Sequence, residues 1–216
     1  IVDRVRSYAR RQHADPVPVD IVREAQNALR SLKAELRPFV VIRPPFSLSA
    51  DDASKRRLIM RGDPLEIELL LLNVMKNAAE AVQGLPDGGV LVKFRRETLP
   101  SPLAENPSPS PAAPSAEAVI VEVEDNGPRL SDEAFERLTR VSQSVKDEGL
   151  GLGLGIVRSL VEENGGRIAI TRREDLSGRG LRVTLCFDLD AEGLKAQSAP
   201  ETDPADKSAA QGSPNV

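Results

Sequence analysis

Tryptophan is absent from this chain of 216 residues, tyrosine, cysteine and histidine occur once each, and aromatic residues make up only 3% of it. Any core must therefore be aliphatic. Cys186 alone excludes an internal disulfide and a cysteine-based metal site. Its neighbours Val183, Leu185 and Phe187 mark it as a buried structural thiol in a strand. No apolar run approaches the ~18 residues needed to cross a membrane, and no signal-peptide pattern opens the chain. There is no cationic excess: 29 Lys and Arg face 33 Asp and Glu, a net charge of −4, so nucleic acid as a partner has no electrostatic footprint. What is present is globular, 40% hydrophobic and 29% charged. The length suits one domain with additions or two small ones. An opening Ile1 in place of Met is expected of a piece of something longer.

The most unusual stretch is Gly149-Leu150-Gly151-Leu152-Gly153-Leu154-Gly155. Glycine is a poor helix residue and weakens strands, so four in alternation need a reason. An amphipathic pattern follows at once, through Ile156, Val157, Leu160 and Val161. Together they describe a loop with unencumbered N–H groups feeding a helix N-terminus, the anatomy of a phosphate site. Two familiar phosphate loops fail on spacing. No Gly-Lys pair exists for a P-loop, and the sixth position of a GxGxxG fingerprint falls on Leu154, Ile156 or Arg158.

Along the chain, residues 1–13 read as the tail of a helix that the prolines Pro16 and Pro18 end. Asp20 is placed to cap a helix carrying Val22, Ala25, Leu29, Leu32 and Leu36. Short strands are expected at 39–42 and 58–60. The strongest helix spans 64–83, with Pro64 in its first turn and apolar residues around most of its girth, hence largely buried. A strand follows at 90–94, then a Pro-rich stretch, 97–117, with almost nothing to bury, read as a disordered insertion. Alternating Val119, Val121 and Val123 form a strand ending at Asp125. A short helix at 131–138, a polar loop at 139–150, a helix at 153–164 and strands at 167–171 and 181–187 complete the domain. Residues 189–216 read as a disordered tail. Strands in runs argue for an α+β fold, a two-layer sandwich with helices on one face of a mixed, mostly antiparallel sheet.

Two further groups could carry chemistry. Asn73 and Asn77, four apart on the buried helix, put two amides on one face. Buried amides need partners, and an amide oxygen can join phosphates and water around Mg²⁺. Asp125-Asn126-Gly127-Pro128 at a strand end is either a plain turn or a carboxylate placed to accept from an exocyclic amine, with Gly127 letting a flat ring lie on backbone.

In this order and spacing the chain resembles the ATP-binding catalytic domain of sensor histidine kinases, a branch of the ATPase superfamily shared with gyrase, the ninety-kilodalton heat-shock chaperones and MutL. LLLLNVMKNAAEAV is similar to the N box, VEVEDNGPRL to the first glycine box and EGLGLGLGIVRSLVEENGGRIAI to the second. The resemblance runs over about 19–188, and residues 1–15 are similar to the end of the second dimerisation-domain helix. It implies ATP and Mg²⁺ as ligands, with Asn73 and Asn77 as catalytic residues and Asn77 as the metal-binding amide. It implies that Asp125 bonds the adenine amine over Gly127. Gly149, Gly151, Leu152, Gly153 and Leu154 would line the phosphates beneath an ATP lid, with Lys146 and Lys76 as cations near them. Its partners would be its own dimerisation domain and a response-regulator receiver. The parent would be a homodimeric, membrane-anchored bacterial sensor with this part in the cytoplasm. The wording of LPDGGV and of the second glycine box is similar to sensor kinases of the dicarboxylate, nitrogen or tetrathionate type.

Asn73 stands where the gyrase and MutL branches carry a glutamate base. An amide cannot take up a proton, which favours phosphoryl transfer to a protein over hydrolysis. Three positions depart from the pattern. Arg129 replaces the second glycine of Asp-x-Gly-x-Gly, Glu80 stands where many relatives have lysine, and His13 is followed by Ala14 rather than by an acidic residue, so it reads as a surface histidine. Two alternatives share the boxes: an anti-sigma-factor type serine kinase, and a scaffold that has lost nucleotide.

Overall fold

The computed structural model describes residues 15–43, 57–99, 116–141, 152–173 and 179–192. The expected helix at 1–13, His13, the Pro-rich residues 100–115, the loop 142–151 with Lys146, Gly149 and Gly151, and the tail beyond 192 lie outside them.

The elements are β1 (Val17–Asp20), α1 (Ile21–Ser31), a 3₁₀ turn (Arg37–Phe39), β2 (Val40–Arg43), β3 (Ile59–Gly62), α2 (Pro64–Val82), β4 (Val90–Leu99), β5 (Ala116–Asp125), α3 (Asp132–Val141), α4 (Leu152–Glu163), β6 (Arg167–Arg172) and β7 (Leu181–Asp188). Five strands form one sheet in the order β2-β4-β5-β7-β6. β2 runs parallel to β4 and the other pairs are antiparallel. The expected α+β sandwich with a mixed sheet is what forms.

Alternation divides the sheet into two faces. Val90, Val92 and Phe94 of β4, Val119, Val121 and Val123 of β5, and Leu185 and Phe187 of β7 are buried in one core with the helices. α2 lies on β4 and β5, and α1 and α4 pack against α2. The opposite set carries Lys93, Arg95, Glu122, Glu124 and Arg182. Cys186 has this parity too, so it is only half-buried rather than sealed in the core as expected; burial still pushes its thiol pKa up.

Caps were legible in detail. Asp20 Oδ1 accepts from the Val22 N–H at 3.1 Å, and Asp63 Oδ1 from the Leu65 N–H at 2.8 Å, with Pro64 entering the first turn. Other boundaries differ. Residues 17–20 are a strand, paired antiparallel with β3, with Pro18 opposite Arg61. Proline is tolerated there because the ribbon has only two strands and an open edge. The hairpin β4–β5 extends to the Leu99–Ala116 pair, beyond the expected limits of the insertion. Backbone pairing and the Arg95–Glu122 and Arg96–Glu117 ion pairs carry it where apolar side chains run out. Finally, α4 begins at Leu152, so the last four residues of the glycine–leucine run are helical.

Candidate functional site

The site forms where the central strand β5 ends beside the C-terminal half of α2. Among the described residues the buried polar or charged side chains are Glu24, Asn73, Glu124 and Asp125. Burying such groups is costly without partners. Glu24 accepts from Asn27 Nδ2 at 2.7 Å, and Glu124 is held by two cations, Lys93 at 2.7 Å and Arg182 at 2.8 Å. The other two are residues that the sequence singles out.

Asp125 is 6% exposed. Its Oδ1 accepts from the Gly127 N–H at 2.8 Å. Burial raises its pKa; the backbone N–H groups of Gly127 and Leu181 and the charge of Arg173 only partly oppose this. The guanidinium of Arg173 donates to the Asp125 main-chain carbonyl at 3.1 Å, not to the carboxylate. A buried carboxylate served by backbone donors alone can still accept from a ligand's N–H.

A side chain at Gly127 would have to displace its neighbours. A Cβ there would stand 2.8 Å from Asp125 Oδ1 and 3.3 Å from Ala81 Cβ. The strand end thus lies against the last turns of α2. Ala81, Asn77 and Asn73 are spaced by four on that helix and share a face, each step ~6 Å along the axis. Asn73 is 8% exposed, and its Nδ2 donates to the Leu69 carbonyl at 2.8 Å, one turn back. That bond uses one of the two N–H donors and leaves the amide oxygen. Asn77 is half-buried, and among the described residues its amide meets no hydrogen-bond partner. Lys76 pairs with Glu80 at 3.1 Å, a partly exposed i,i+4 bridge that holds the ammonium only weakly. Arg129 is exposed.

α4 supplies the third wall. Asn164, just past its end, accepts from the Asp63 N–H at 3.0 Å and donates to Glu66 at 2.8 Å. The C-terminal end of α4 is therefore fixed at the first turn of α2. Leu154, Val157, Leu160 and Val161 are buried. From that anchor α4 packs against α2. Gly153 lies in the first turn of α4, where N–H groups lack intrahelical partners. Gly149 and Gly151 of the same run, and Lys146 before it, lie outside the described residues.

Among the described residues no group of three or more His, Cys, Asp and Glu side chains could hold a metal ion. A cation near Asn77 would thus take most of its ligands from phosphate oxygens and water. Mg²⁺ binds in that way, so the donor set fits it.

Two features of the site carried no signal in the sequence reading. Gly180, at φ +83°, lies so close to the strand end that a Cβ would approach the Asp125 carbonyl oxygen to 1.9 Å. Asn126 bonds twice through its side chain to the turn after α2. A glycine before a strand and the second residue of an Asp-Asn-Gly turn are commonplace, and only tertiary contact distinguishes them.

A buried strand-end carboxylate, an amide stripe on an apolar helix and a glycine-preceded helix N-terminus, on an α+β sandwich, define a class. The chain belongs to the family described as histidine kinase-, DNA gyrase B- and HSP90-like ATPase, whose model matches residues 62–191. Its relatives include a transport sensor protein, a nitrogen regulation protein and a sensory histidine kinase/phosphatase. The chain is 27% identical over 174 residues to the C4-dicarboxylate transport sensor protein DctB of Rhizobium meliloti, covering 79% of this chain and 24% of that protein. It is 28% identical over 205 residues to the nitrogen regulation protein NtrY of Azorhizobium caulinodans, covering 91% of this chain and 22% of that one. The sensory histidine kinase/phosphatase NtrB of Klebsiella oxytoca is 33% identical over 109 residues, 50% of this chain and 29% of its own. The chain thus spans about a quarter of the length of these relatives. Its fold is shared with the mycobacterial sensor histidine kinase MprB, at a TM-score of 0.55 and 19% identity over 82% of this chain and 98% of that one. The catalytic domain of histidine kinase ThkA gives 0.56 and 18%, over 83% and 99%. Among the described residues no helix is long and apolar enough to cross a membrane.

Proposed function

We propose that this chain is the ATP-binding catalytic part of a two-component sensor histidine kinase. Residues 19–188 form the catalytic domain, 1–15 are the end of a dimerisation helix and 189–216 a C-terminal tail. The Asp125 carboxylate accepts a hydrogen bond from the adenine amine, and Gly127 lies under the ring. Asn73 and Asn77 face the phosphate end, where the first-turn N–H groups of α4, Leu152, Leu154 and the glycines 149, 151 and 153 form the cradle. Lys146 screens phosphate charge, as does Lys76 when it leaves Glu80. The Asn77 amide oxygen would hold Mg²⁺, which would supply neutralising charge beside the phosphates.

The chemistry asked of these residues is positioning. An imidazole nitrogen of a histidine on the dimerisation domain attacks the γ-phosphorus, the bond to the bridging oxygen breaks, and ADP leaves. The amide of Asn73 offers no base for water, so transfer outruns hydrolysis. The phosphoryl group then passes to an aspartate of a response regulator. The parent is a homodimeric, membrane-anchored bacterial sensor with this part on the cytoplasmic side.

The observation that carries the reading is the Asp125 carboxylate. It is buried, raised in pKa by that burial and free of a cationic side-chain partner on its oxygens, at one end of a face that continues into Asn77 and Asn73. The test has two stages. Calorimetry with a non-hydrolysable ATP analogue and Mg²⁺ should show binding by the wild type that Asp125→Ala weakens by about 10- to 100-fold; no binding by the wild type would sink the proposal. Dimerisation helices bearing a histidine, supplied in trans with labelled ATP, should then acquire acid-labile phosphate. Acid-stable label would point to a serine kinase instead.

A further inference from the structure

The two halves of the site stand on different elements: Asp125 on the end of β5, the asparagines on α2. Something must fix the distance between them. The turn that joins α2 to β4 contains Asp87, Gly88 and Gly89, and Asn126 is bound to it from both ends of its amide. The Gly89 N–H donates to Asn126 Oδ1 at 2.8 Å, and Asn126 Nδ2 donates to the Asp87 carbonyl at 2.6 Å. Its main-chain N–H donates to the Gly89 carbonyl at 3.2 Å. The same turn is braced from the β7 side by Arg179, 3.4 Å from the Asp87 carboxylate. Asn126 itself is half-buried, and its side chain is spent on these two bonds.

We infer that Asn126 is a positioning residue, a strut between the end of β5 and the turn after α2 that fixes the Asp125 carboxylate relative to the Asn73–Asn77 stripe. The inference deepens the proposed function and rests on it for its consequence, though not for its geometry. An amide is the side chain that can do this, because the turn offers one donor and one acceptor that must be met together. Alanine meets neither. Aspartate meets the Gly89 donor and opposes the Asp87 carbonyl.

The consequence is a split between ligands. A nucleotide that engages both halves at once gains from their being held in register. Adenosine, which engages only the Asp125 half, gains nothing. In the full chain, Asn126→Ala should weaken a non-hydrolysable ATP analogue by about tenfold or more while changing adenosine affinity less than about threefold, one tenfold step being ~1.4 kcal/mol. Equal losses for both ligands, or no loss of analogue affinity, would overturn the strut.

A second readout needs no ligand. Amide hydrogen exchange in the ligand-free chain should speed up at Gly89 in Asn126→Ala by about tenfold or more, with Val92 and Val121 of the core unchanged, because opening there is local. In Asn126→Asp the Gly89 amide should stay protected. Unchanged exchange at Gly89 in Asn126→Ala, or exchange in Asn126→Asp as fast as in the alanine variant, would also overturn it. A wild type that binds no analogue sinks the nucleotide reading, and the exchange data still decide the strut.

Discussion

Glu124 and Asp125 are consecutive carboxylates on one strand, both 6% exposed, and their environments shift them in opposite directions. Alternation sends them to opposite faces of the sheet. On the outer face burial raises the Glu124 pKa, but hydrogen bonds and charge from Lys93 and Arg182 outweigh it and hold the carboxyl below the usual range. On the helix side burial dominates, and the Asp125 carboxyl sits above its usual range. The first is a closed arrangement in which every strong partner is supplied by the protein. The second is met by the backbone N–H groups of Gly127 and Leu181 and by the charge of Arg173, which together do not offset its burial. Burial alone therefore does not set the direction of a shift; the partners decide it.

The comparison can be broken by substitution. The largest effect is expected from Asp125→Ala, which removes a hydrogen bond to a charged group and should weaken ATP-analogue binding by about 10- to 100-fold, read by calorimetry. Gly180→Ala should come next. A methyl 1.9 Å from the Asp125 carbonyl oxygen, on a residue at φ +83°, must move the strand end. Thermal or denaturant unfolding should show a loss of about 2 kcal/mol or more, with analogue affinity falling too.

Glu124→Gln should be the reverse of Asp125→Ala. Lys93 and Arg182 are 35% and 37% exposed, so solvent screens both pairs, and the loss should be only about 1 kcal/mol at neutral pH with nucleotide affinity unchanged. The folded pKa of Glu124 is lowered, so its contribution is present above the unfolded value and disappears as pH falls through the folded one. Variant and wild type should converge in acid.

The smallest effect sharpens the contrast. The folded pKa of Asp125 is raised, so the native state binds its proton more tightly than the unfolded chain. Stability then falls as pH rises from the unfolded to the folded value, and at neutral pH the charge opposes folding. Asp125→Asn, which can still accept from Gly127, should melt no lower than wild type at neutral pH without nucleotide. A clear drop in melting temperature would mean that the carboxylate is structural.

Much of this was legible in the sequence. Asp20 and Asp63–Pro64 announced their helices, and the apolar girth of α2 announced its burial together with the oddity of Asn73. Asp125 followed from a valine alternation that stops at a turn. Three things were not legible. Pro18 reads as a breaker until its strand proves to be half of a two-stranded ribbon. The outer parts of β4 and β5 are polar, and only backbone pairing and ion pairs extend them. Asn126 and Gly180 act through contacts with residues far away in the chain, at 87–89 and at 125–126, which no local pattern encodes.

The most direct test is one calorimetric comparison, a non-hydrolysable ATP analogue with Mg²⁺ titrated into wild type, Asp125→Asn and Glu124→Gln at neutral pH. The two carboxylates are adjacent and both shielded from solvent, but they lie on opposite faces of the sheet, with two cations on one and burial prevailing on the other. Wild type and Glu124→Gln should bind alike while Asp125→Asn loses binding by about tenfold or more, since an amide presents fewer acceptors and no charge to the adenine amine. Equal binding by all three, or a loss confined to Glu124→Gln, would contradict the account.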